Sequence, residues 1–99
     1  SANVAFSFES PEIDFELNVV NVHKILVAIR KHNPTCKLIN FSSAAVYGNP
    51  NRLPISEYFA VKPLSPYGFH KLQSEYLLTE YHKFFGLHTC SLRVFSVYG

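Results

Sequence analysis

Tyr67 and Lys71 stand four residues apart, directly after the turn Pro63-Leu64-Ser65-Pro66. Four residues is a little over one helical turn, so a helix starting at Pro66 carries the phenol and the ammonium on one face. A positive charge beside a tyrosine favours its phenolate, the tuning that an acid/base catalyst working near neutral pH requires. Upstream, Phe41-Ser42-Ser43-Ala44-Ala45-Val46-Tyr47-Gly48 sets small hydroxyl residues at the end of an apolar strand. The competing reading makes Tyr67 a packed helix residue, Lys71 a solvated lysine, and Ser42 and Ser43 strand terminators through side-chain to backbone bonds. For Ser42 that second reading is preferred.

The elements that must position these groups are legible in outline. Ser10-Pro11-Glu12 predicts a helix start, with Ser10 as N-cap and Pro11 at the first helical position, running to about His32, where Asn33-Pro34 stops it. Its apolar residues, Ile13, Leu17, Val20, Val22, Ile25, Leu26 and Ile29, are too widely distributed for one stripe and predict burial on two sides. Lys37 to Phe41 reads as a strand leading into Ser42 and Ser43, and residues 49–64 as loop. A second helix is expected from Pro66 to Phe85 with Gly86 as its C′ residue, then a strand from His88 to Phe95. Helix, strand, helix, strand is part of a doubly wound parallel α/β sheet, whose ligands bind outside the carboxyl ends of the strands.

With Leu92-Arg93-Val94-Phe95-Ser96-Val97-Tyr98-Gly99, these segments resemble the extended short-chain dehydrogenase/reductase family, most of all its nucleotide-sugar epimerases and dehydratases. In that family a strand ends in Ser-Ser/Thr before Val-Tyr-Gly, as at Ser42 to Gly48; a Pro-Tyr-Gly-x-x-Lys helix start follows, as at Pro66 to Lys71; and a further strand ends in Leu-Arg-x-Phe-Asn. The resemblance runs over essentially all 99 residues. It implies a Rossmann domain, NAD as cofactor, a nucleotide-sugar as substrate, and Ser43, Tyr67 and Lys71 as the catalytic set. It further implies that Lys71, Tyr67, Asn18 and Phe95 contact the cofactor, and that Ser43 and Ser96 contact the substrate. Four departures stand out. Ala44-Ala45 replaces the Asp-Glu with which dehydratases remove water, which favours an epimerase. Ser96 stands where Asn is usual, Asn21-Val22 where Gly-Thr is common, and His70 where Ser or Thr is frequent. A reductase, decarboxylase or dehydratase of the same family is the nearest alternative, and a non-catalytic Rossmann-like module is the alternative of another class.

The family fold needs several times 99 residues, and the chain has no Gly-rich G-x-x-G-x-x-G turn. Residues 1–99 are therefore expected to be the central part of an NAD-binding domain whose phosphate-binding unit lies outside them. A net charge of +2 with dispersed Lys and Arg gives no nucleic-acid stripe. The apolar runs are too short for a membrane span, and cytoplasm is the default expectation. Cys36 and Cys90 are expected to be buried thiols in strand patterns, Glu75 and Glu80 solvated helix residues, and the five histidines not to form a metal site. Helices 11–32 and 66–85 are apolar over more of their circumference than one sheet contact requires. The family's two-fold four-helix dimer would cover that surplus, with Val22, Ile29, Leu78 and Tyr81 as the expected contacts.

Overall fold

A computed structural model describes residues 2–48 and 61–94. The elements, in order, are α1 (Ala2–Glu9), α2 (Pro11–Phe15), a π-helical segment (Glu16–Val20), α3 (Asn21–His32), β1 (Lys37–Ser43), a 3₁₀ turn (Ala44–Tyr47), α4 (Pro66–Phe85) and β2 (His88–Val94). β1 and β2 pair in parallel, in register from Lys37 opposite His88 to Ser43 opposite Val94. The α/β class and the parallel pairing agree with the sequence pattern.

α4 has the expected ends. Ser65 caps it by accepting a hydrogen bond from the Gly68 N–H at 3.0 Å, with Pro66 in the first turn. Gly86 closes it at φ +70°, a left-handed conformation that a residue with a Cβ adopts only at a cost, and its N–H bonds to the His82 carbonyl. Helix 11–32 also forms, but Ser10 caps it with its backbone carbonyl alone, and its middle widens. The Asn21 N–H reaches five residues back to Glu16, the π step. α1 has no counterpart in the sequence reading.

The core lies between the helices and one face of the strand pair. Leu26, Leu78, Tyr81 and Leu87 form its centre, with Val22, Val27, Ile29, Leu38 and Leu77 packed around them. Leu78 and Tyr81 are therefore not the helix surface expected of dimer contacts, since they face inward at 2% and 7% exposure. Val22 and Ile29 are half-buried against the same cluster. A broadly apolar helix does not reveal which arc meets the sheet. Among the residues left outward are Ile13, Leu17 and Ile25 on the first long helix, and Phe69, Tyr76 and Phe84 on α4.

The other face of the strand pair is open. Ile39, Phe41, Leu92 and Val94 are all exposed, because side chains alternate and the helices cover only the alternate set. Cys90 lies on this open face and is exposed, while Cys36 precedes β1 and is half-buried. The expectation of two buried thiols is corrected on both counts.

Candidate functional site

Lys71 lies one turn into α4 and turns back over the carboxyl end of β1, where its Nζ donates to the Phe41 carbonyl at 3.0 Å. The same Nζ lies 5.8 Å from the centre of the Tyr67 ring. The two side chains thus share one face of the helix start, as their spacing demands. Burial lowers the Lys71 pKa, and the negative charge of Asp14 opposes that fall.

Ser43 ends β1. Its Oγ accepts a hydrogen bond from the Ala45 N–H at 3.1 Å and so caps the 3₁₀ turn. The local bond that the plainer reading assigned to such a serine is thus present at Ser43. At Ser42 it is a different one, since Ser42 Oγ donates to Glu75 Oε2 at 2.6 Å. The turn that follows Ser43 and the start of α4 approach each other closely at Gly68. A Cβ on Gly68 would lie 2.6 Å from the Ala45 carbonyl oxygen and 3.1 Å from Pro63 Cβ. Only glycine lets the first turn of α4 approach the 3₁₀ turn so closely. Gly48, at φ +78°, closes the other side of that turn against the Lys62 backbone.

Asn18 sits in the π segment. Its Nδ2 donates to the backbone carbonyl of Asp14 at 3.0 Å and to Asp14 Oδ1 at 3.1 Å. Asp14 Oδ2 lies 2.6 Å from Nδ1 of His70, the residue before Lys71. Phe95 and Ser96 lie outside the described residues.

A second polar cluster escaped the sequence reading. Arg93, near the end of β2, donates through Nε and Nη2 to both oxygens of Glu75, the shortest bond being 2.8 Å. Its Nη1 reaches Tyr47 Oη at 2.7 Å. Hydrogen bonding to Glu75, against an opposing effect of burial, raises the Arg93 pKa, so the guanidinium stays charged. Glu75 is therefore no solvated helix residue, because it joins β1, α4 and β2 through Ser42 and Arg93. Eighteen residues separate Glu75 from Arg93, and only the alternation that turns Ser42 and Arg93 to the same face hinted at the link. Glu80 is exposed, as expected.

A cavity of about 330 Å³ opens at the opposite, amino end of the strands, among Lys37, Leu38, His82, His88 and Thr89. It holds none of the candidate residues. Among the described residues no three His, Cys, Asp or Glu could hold a metal ion, and no helix is long and apolar enough to cross a membrane.

The chain is similar to known proteins over nearly all of its length. The GDP-mannose 4,6 dehydratase family matches residues 1–99. UDP-glucose 4-epimerase of Corynebacterium glutamicum is 40% identical over 96 residues, covering 97% of this chain and 29% of the relative. CDP-paratose 2-epimerase of Salmonella typhi is 33% identical, covering 94% and 32%. Among solved structures, UDP-glucose 4-epimerase from Brucella ovis in complex with NAD superposes with a TM-score of 0.86 at 39% identity, covering 94% of this chain and 28% of that one. The chain spans about a third of the length of the relatives it matches.

Proposed function

Because this chain belongs to the NAD-dependent nucleotide-sugar epimerase/dehydratase family, we propose that it is the central part of an NAD-binding Rossmann domain and carries the acid/base set of a nucleotide-sugar epimerase. The observation that carries this reading is the Tyr67–Lys71 turn held over the carboxyl end of β1. In an open α/β sheet this is where ligands bind.

The residues fit the nicotinamide-ribose end of NAD. An ammonium has three protons, and Lys71 commits one to the Phe41 carbonyl, which leaves two for ribose hydroxyls. Asn18, its amide N–H₂ bonded to Asp14, keeps its carbonyl oxygen as an acceptor. Phe95 is proposed to contact the cofactor as well. Bound there, NAD would supply the reversible hydride chemistry at the sugar carbon.

The chain's own residues supply the proton chemistry. Tyr67, as phenolate, takes the proton of the sugar hydroxyl as that carbon becomes a ketone, and gives it back when the alcohol re-forms on the other face. Lys71 stabilises the phenolate, and Ser43 orients the substrate oxygen beside it. Ser96 is proposed to contact the nucleotide-sugar. Ala44 and Ala45 offer methyl groups where removal of water would need an acid and a base, which favours epimerisation over dehydration. A reductase or decarboxylase of the same family remains the second reading. The free thiols of Cys36 and Cys90 fit a reducing compartment such as the cytoplasm. A homodimer through helices 11–32 and 66–85 is proposed too, now through their outward apolar residues.

Tyr67→Phe in the full-length protein tests the reading. Turnover should fall ~10²–10⁴-fold, the usual loss when a general acid/base group is removed, with the circular dichroism spectrum unchanged. Full activity in that variant would refute it.

A further inference from the structure

Asp14 is 3% exposed, and both its carboxylate oxygens have partners: Oδ1 receives the Asn18 amide and Oδ2 meets His70 Nδ1. A carboxylate buried this far costs free energy unless it is hydrogen-bonded and faced by positive charge. His70 adjoins Lys71 in sequence, and its ring is further held edge-on by Phe15 at 5.3 Å. The pair therefore joins the first long helix to the turn of α4 that carries Tyr67 and Lys71.

The groups around this carboxylate are few. From α4 come His70 and the Lys71 ammonium, whose charge feels Asp14. From the π segment come the neutral Asn18 amide and an exposed Glu16. On its own helix Glu12 is exposed. α1 packs against both helices and contributes only one titratable residue, the exposed Glu9. Asp14 is thus the one buried carboxylate among these groups.

We propose that Asp14, clamped by His70 and Asn18, is a positioning residue for Lys71: it sets its carboxylate to act on the ammonium, and its bond to His70 fixes the turn that presents Tyr67 and Lys71 together. This rests on the role given to Lys71 above, but it can be tested without the reaction. Asp14→Asn in the full-length protein keeps the shape and removes the charge. The pH dependence of Lys71 acetylation by acetic anhydride, read by mass spectrometry in the absence of cofactor, follows the ammonium directly. Its midpoint should fall in Asp14→Asn, because the charge that opposes the effect of burial is gone. His70→Gln retains the Asp14 charge, so it should leave that midpoint in place while lowering the thermal midpoint. In Asp14→Glu the charge returns, and the labelling midpoint should return with it.

An unchanged Lys71 midpoint in a folded Asp14→Asn protein overturns the proposal. So does a fall in His70→Gln as large as in Asp14→Asn, because the clamp and not the charge would then govern Lys71. If Asp14→Asn does not fold, the double variant Asp14→Asn/His70→Gln, which sets two neutral amides face to face, carries the same test with the same expected fall. Loss of turnover in Tyr67→Phe bears on the reaction alone, so the two ideas fail separately.

Discussion

Lys71 has two conflicting requirements. In the proposed mechanism it must stay charged to stabilise a phenolate, yet burial over the end of β1 lowers its pKa below the ordinary lysine value. The consequence for pH has opposite signs for stability and for rate. As pH rises through the lowered value, folded Lys71 releases its proton before the unfolded chain does. The burial penalty present at lower pH is relieved in that window, and stability from this group rises. A rate that needs the ammonium falls over the same range. Lys71→Arg, charged at every accessible pH, should therefore extend the alkaline limb of the full-length enzyme's kcat profile to higher pH, even if the overall rate drops. An alkaline limb at the same pH in both proteins would show that Lys71 does not set it. The neighbouring His70, which departs from the family pattern, bonds to Asp14. Its partner Asp14 lies 56 residues away, and no local spacing signals a pair so distant.

Elements carry the precision that the site needs. The helix start at Ser65-Pro66 and its end at Gly86 were legible because capping is local chemistry, a hydroxyl on an N–H and a positive φ at glycine. What local chemistry could not disclose was the inward arc of each helix, so Leu78 and Tyr81 were read as surface. It also could not disclose the π step at Glu16–Val20, or the Glu75–Arg93 pair that joins α4 to β2. The Tyr-Gly at the start of α4 was read for its phenol, but its glycine matters for packing. Gly68→Val would force a Cβ to within 2.6 Å of the Ala45 carbonyl oxygen and drive α4 away from the turn that follows Ser43. Overpacking of this kind costs about 1–3 kcal/mol. Thermal denaturation should register that loss, and kcat should fall although every proposed catalytic side chain remains. Wild-type stability and rate in Gly68→Val would mean that the close approach is dispensable.

At the scale of the whole molecule, two apolar surfaces remain to be covered. One is the open sheet face, with Ile39, Phe41, Leu92 and Val94 exposed. A doubly wound sheet carries helices on both faces, and this face is where the rest of the proposed domain would pack. The other is the outer surface of the helices, where Ile13, Leu17 and Ile25 recur on one and Phe69, Tyr76 and Phe84 on the other. Their inward residues already meet the sheet and core, so the outward set cannot be buried within this helix layer. Tyr76 is 62% exposed and Leu17 56%, and large apolar patches of this kind mark contacts on a folded protein. A two-fold dimer covers the same patch twice with one set of residues. Leu17→Glu and Tyr76→Glu should therefore weaken a full-length dimer seen by light scattering at micromolar concentration, without lowering monomer stability, because neither side chain is in the core. Leu78→Glu should instead unfold the protein, since Leu78 is 2% exposed within the central cluster. A dimer that survives both outward changes must use another surface, and a parent that is monomeric throughout that range has no such interface.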